Sequence, residues 1–112
     1  MATTYLAEGD VLTVTAPYAV ASGVGCLVGS IFGVTLAAAS SGAAVQIMTE
    51  GVWTLAKLST DVNAVGELAY WDDTNKRVTE SSSGNKLIGV FVATAGNGVT
   101  TCTVRLNGAF VG

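Results

Sequence analysis

The chain contains no histidine, so no Ser-His or Cys-His pair can be assembled for nucleophilic or general acid–base chemistry. Charge is scarce as well. Only 12% of the 112 residues are charged, about half the usual share for a soluble domain, which suggests that much of the surface is covered by other copies or by a partner. A formal net charge of -3 leaves no basic field to hold a phosphate backbone, so nucleic acid is not an expected ligand. No lysine occurs between Met1 and Val52, which removes the GxxxxGK[ST] phosphate loop. The dinucleotide fingerprint GxGxxG starts at Gly23 and Gly25 but meets Val28 at its third glycine.

Cysteine is equally sparing. Cys26 and Cys102 are too few for the framework of a small secreted domain, and no CxxC spacing suggests zinc. Two reduced, buried thiols are expected, with a bridge between them as the alternative. The amino-terminal "MATTYLAEGD" lacks a basic n-region and carries Glu8 and Asp10 where a signal peptide has its apolar core, so it does not read as an export signal.

What is present is glycine, serine and short apolar bursts. The length suits one domain with a single core. From Val11 to Thr49 no side chain is charged, and Gly25, Gly29 and Gly33 fall four apart. One reading is a pair of membrane helices over residues 11–49, packed along that small-residue face. Against it stand the many Ser and Thr residues in the run and the lack of flanking Lys or Arg. Strand chemistry accounts for the same residues, because the apolar groups come in bursts between turn formers. "VLTVT" (11–15), "VGCLVG" (24–29), "SIFGVTLA" (30–37) and "AVQIMT" (44–49) read as buried strands, with Glu50-Gly51 as a hairpin corner.

Beyond that corner, "VWTLAKL" places Trp53, Leu55 and Lys57 on one strand face, and Trp53 is expected as a core anchor or a subunit contact. "STDVNAVGE" reads as a loop. "LAYWDDTNKRVTE" reads as a hairpin turning at Asp72-Asp73-Thr74-Asn75, where the aspartates open the turn; a weak calcium site there would lack the later Gly and Glu of an EF-hand loop. "KLIGVFVATA" implies a strand covered on both faces, and "TTCTVRLNG" alternates cleanly, with Cys102, Val104 and Leu106 on one side. The expected architecture is all-β, a single-domain β-sandwich or small β-barrel over residues 9–112, with residues 1–8 as an arm ahead of it. Tyr70 and Trp71 are expected to face the core or a subunit interface; the rival use is stacking on a sugar, with the 81–85 loop, in an adhesion module.

The order of these features carries a resemblance. "EGDVLTVTAPYAVASG", "GSIFGVTLAAASSG", "EGVWTLAK", "GELAYWDDTNKRVT", "NKLIGVFVATA" and "CTVRLNG" follow one another over about Ala7 to Gly108. The most specific parts are Ser22-Gly23, the Gly29 and Gly33 pair, Tyr70-Trp71-Asp72 and Val104 to Asn107. In these the chain resembles the small cement or decoration proteins of tailed-phage capsids, some of whose members carry a RecA/RadA-type recombinase label. That label does not suit a chain with no Walker lysine, no basic surface and too few residues for an ATPase core. The resemblance implies a virion structural protein on the outer capsid surface, assembled in the bacterial host cytoplasm. It would bridge subunits of the major capsid protein, commonly as a trimer at local three-fold positions, with no enzymatic activity, cofactor or membrane association. It supplies no catalytic residues. Thr3, Thr4, Tyr5 and Leu6 are the expected shell contacts, since a short segment ahead of the first strand can order on a partner; a frayed terminus is the plainer alternative.

Overall fold

Each charge-free burst between turn formers becomes one strand. The computed structural model describes residues 9–109 and residue 111; the expected contacts Thr3, Thr4, Tyr5 and Leu6 lie outside them. Nine strands follow in order: β1 (Val11–Thr15), β2 (Gly25–Val28), β3 (Ile31–Thr35), β4 (Ala44–Met48), β5 (Glu50–Ala56), β6 (Leu68–Asp72), β7 (Arg77–Thr79), β8 (Lys86–Phe91) and β9 (Thr101–Asn107). They form two antiparallel sheets, a four-stranded one ordered β1-β4-β3-β2 and a five-stranded one ordered β5-β9-β8-β6-β7. No helix occurs among the described residues, and none is long and apolar enough to cross a membrane. Residues 11–49 are the four-stranded sheet and its turns, which overturns the helix-pair reading of that run.

The three glycines spaced four apart do three separate jobs. Gly29 sits at the β2–β3 turn with φ +59, a conformation a side chain resists. Gly25 and Gly33 are packing positions: a Cβ on Gly33 would stand 2.9 Å from the Met48 carbonyl oxygen, where β3 meets β4.

Glu50-Gly51 is not a hairpin corner. Strand β4 already has partners on both sides, β1 and β3, so the chain leaves the first sheet and starts the second. Thr49 is the joint. Its N–H donates to the Asp10 carbonyl at 2.7 Å, and its own carbonyl accepts from the Gly108 N–H at 3.0 Å, so one buried residue ties both sheets together.

The second sheet rolls up into a small barrel. Its edge strands meet at a parallel bridge between Lys57 and Val78, next to which the Leu58 N–H donates to the Val78 carbonyl at 3.1 Å. Leu55, Trp71, Val78, Phe91, Cys102 and Val104 fill the interior, and Phe32 and Val34 from β3 complete it. At about 1.5–3 kcal/mol for each fully buried large apolar side chain, this shared core is what holds the two sheets together. A second, smaller core of Cys26, Val45 and Ile47 lies on the other face of the first sheet. Ala16, Val20 and the partly buried Tyr18 cover it from the β1–β2 connection.

Candidate functional site

The residues singled out by sequence do not share one surface. Tyr70 and Trp71 are neighbours on β6, so their side chains leave on opposite faces. Trp71 is 2% exposed and packs against Phe32, ring centroids 5.0 Å apart, while its indole N–H donates to Asp73 Oδ1 at 3.0 Å. It is a core residue, unavailable to a sugar or to a partner. This removes the stacking pair on which the adhesion reading depended. Trp53 is half-buried at the rim of the barrel core, with its indole N–H on the Glu50 carbonyl at 2.9 Å. Tyr70 alone of the three lies on the barrel's outer face.

Around Tyr70 the register builds an apolar strip that sequence reasoning missed. Tyr70 pairs with Leu87 and Leu68 with Val90 across β6 and β8, and a bulge between Ala69 and Tyr70 keeps all four on one side. Leu68 is 49% exposed and Leu87 40%, so the expected cover on both faces of β8 is not supplied by the chain itself. A cleft of about 210 Å³ runs beside them, with Asn107, Ala109 and Val111 on its far wall. The signal was present in "KLIGVFV", where apolar residues occupy both parities, but nothing in it says which face the chain leaves open.

A second apolar surface sits on the 59–67 and 94–100 connections. Val62, Val65 and Val99 are exposed there. The loops are held together by paired backbone hydrogen bonds between Asn63 and Ala95, and by Gly98 N–H on the Ser59 carbonyl at 2.7 Å. Buried Lys57 braces the same region from beneath, donating to the carbonyls of Leu58 at 2.9 Å and Asp61 at 2.6 Å.

The polar groups otherwise serve the fold. Asp72 accepts from the Thr74 and Asn75 N–H groups and from the Asn75 side-chain amide. That amide, chiefly, holds the Asp72 carboxyl below its ordinary range. Asp73 is engaged by Trp71 and by Lys76 at 3.0 Å. Both aspartates therefore build the turn, and no cluster of three metal-ligating side chains occurs among the described residues. Cys26 and Cys102 are unbridged and lie in different cores; burial pushes both thiols up, Cys102 to about 11, the opposite of an activated nucleophile.

The arrangement presents exposed apolar strips on a β scaffold. No curated protein matches the chain. A family model described as phage cement protein matches residues 6–106, which takes in both sheets and the apolar strip across β6 and β8. The chain belongs to the phage cement protein family.

Proposed function

We propose that this protein binds the outer surface of an assembled phage head, bridges neighbouring major capsid protein subunits as a trimer, and stabilises the shell without catalysing a reaction. The observation that carries the reading is the strip of Leu68, Tyr70, Leu87 and Val90 on the barrel's outer face. In a monomer such a strip costs free energy against water; covered by a capsid subunit or another copy, it becomes the depleted-charge centre of an interface. Trp53 at the barrel rim and Thr3, Thr4, Tyr5 and Leu6 ahead of β1 supply further capsid or subunit contacts, and Trp71 acts only by holding β6 in place.

The mechanism is linkage. A ligand that binds the mature shell and not its dissociated form stabilises it by about 2.7 kcal/mol per site when present at 100 times its dissociation constant. Repetition over the lattice multiplies weak contacts into a durable coat. Assembly takes place in the host cytoplasm and the protein remains on the virion.

The test is thermal release of DNA from heads prepared with and without this protein. Undecorated heads are expected to release DNA at lower temperature. Equal heat resistance in both preparations overturns the stabilising role.

A further inference from the structure

The two edges of the four-stranded sheet are finished differently. Along β2, the hydrogen bonds of Thr35 N–H to the Val24 carbonyl and the β2–β3 register turn Gly25 and Leu27 outward. One side chain covers part of this edge: the Tyr18 hydroxyl donates to the Gly25 carbonyl at 3.3 Å. Lys76 lies over the same ring, 3.9 Å from its centroid, and fixes it in place. That edge is covered at Gly25 by an anchored aromatic ring.

Along β1 no side chain from another element reaches the outward backbone groups among the described residues. Thr49 N–H donates to Asp10 and Ala16 N–H to Ala43, so the even-numbered residues from 10 to 16 turn to β4. Val11, Thr13 and Thr15 therefore turn their backbone groups outward. The Val11 N–H is taken by Asp10 Oδ1 at 3.0 Å, which leaves the Val11 carbonyl and both groups of Thr13 and Thr15 without a partner among the described residues. The strand reads "VLTVT", with none of the lysines, prolines or bulges that guard natural edges. Leu12 and Val14 are only partly buried at the margin of the small core, so an added strand would also extend that core.

We infer that the open β1 edge receives residues Thr3 to Leu6 of a second copy as an added antiparallel or parallel strand, exchanged between copies. This rests on the reading of the protein as an oligomeric coat. The segment has the composition of a strand, two threonines, a tyrosine and a leucine, and its alternation puts Thr4 and Leu6 on one face and Thr3 and Tyr5 on the other. In the register that sets Leu6 on the side of Leu12 and Val14, Tyr5 falls on the side of Thr13 and Thr15. The eight residues ahead of Gly9 reach about 26 Å when extended at about 3.3 Å each, enough to cross to a neighbour. A return onto the chain's own β1 is disfavoured. It would have to reverse before Val11, yet Asp10 already pairs with β4 and its carboxylate occupies the Val11 N–H. Strand addition of this kind takes its affinity from main-chain hydrogen bonds and its register from alternate side chains.

The experiment compares the full chain, a variant lacking residues 2–8, and Thr13→Pro, which removes only an outward N–H and leaves the β1–β4 ladder intact. Molar mass by light scattering and amide exchange by NMR are read on each. The full chain is expected as a multiple of 11.3 kDa, with the Thr13 and Thr15 amides exchanging at least about tenfold more slowly than in the shortened chain. Both variants are expected to dissociate while the Val104 and Phe91 amides stay protected. Oligomers that survive both changes overturn the inference, as does a monomeric full chain, whether its Thr13 and Thr15 amides exchange freely or stay protected by the chain's own terminus. Binding of the full chain to heads is measured separately: its failure removes the capsid reading and leaves the strand-exchange result untouched.

Discussion

Gly25 and Trp71 meet across the two sheets, so closely that a Cβ on Gly25 would stand 2.6 Å from Trp71 Cη2 and 2.9 Å from Phe32 Cζ. The indole fills the space a side chain would need. Gly25→Ala is therefore expected to force the sheets apart and to cost about 1–3 kcal/mol, the usual range for overpacking. Thermal unfolding checks this; a midpoint unchanged from the wild type would mean that the sheets can slide past one another without loss.

Tyr18→Phe tests the cover on β2. The substitution keeps the ring under Lys76 and removes only the hydroxyl that donates to the Gly25 carbonyl. A loss of about 1 kcal/mol in thermal or denaturant unfolding is expected, the net worth of an ordinary hydrogen bond. Equal stability would show that water replaces the hydroxyl at no cost.

Alkaline pH should weaken the fold at both cores. Burial, first of all, pushes the Cys102 thiol from its ordinary 9.0 to about 11 and the Tyr18 phenol from 10.0 to about 12. Both groups hold their protons more tightly folded than unfolded, so the unfolded chain deprotonates first. Stability is then full below about pH 9 and falls as pH rises towards 11 and 12. Denaturant midpoints at pH 8 and pH 11 measure the effect, and Cys102→Ala should flatten the lower part of the curve.

Leu68→Asp and Leu87→Asp address the outer strip. Both side chains are half-exposed strand positions, so folding stability should fall by about 1 kcal/mol and leave the fold intact. Binding to heads should weaken by about tenfold or more if the strip lies at the centre of the interface. Wild-type affinity in both variants would move the contact to the surface of Val62, Val65 and Val99.

How much of this was legible in the sequence depends on the range of the interaction. Strand β9 was read with its faces correct, because alternation is local and Cys102, Val104 and Leu106 stand two apart. The turn at Asp72 to Asn75 was equally clear, since Asp72 caps its own neighbours. The corner at Glu50-Gly51 was misread because the true reason for its absence, β4 being flanked on both sides, lies in residues 11–35. The same limit applied to Tyr70 and Trp71. Their adjacency said that they part company; only the β2–β3 hairpin decides that Trp71 is the one covered. The strip across β6 and β8 depended on a bulge between Ala69 and Tyr70, a register shift that no single residue type announces.

The joint at Thr49 divides the chain by order of synthesis as well as by sheet. Every pairing of the first sheet lies within residues 11–48, so that half is complete soon after it leaves the ribosome. The barrel cannot follow at the same pace. Strand β5, made next, finds its partner only in β9, with Glu50 opposite Asn107 and Ala56 opposite Thr101. During the interval Phe32 and Val34 stand uncovered, and β5 and β8 wait with empty edges. The last strand to emerge is thus the one that closes the molecule, and a nascent chain stalled before Thr101 carries a finished sheet beside an unpaired, association-prone remainder.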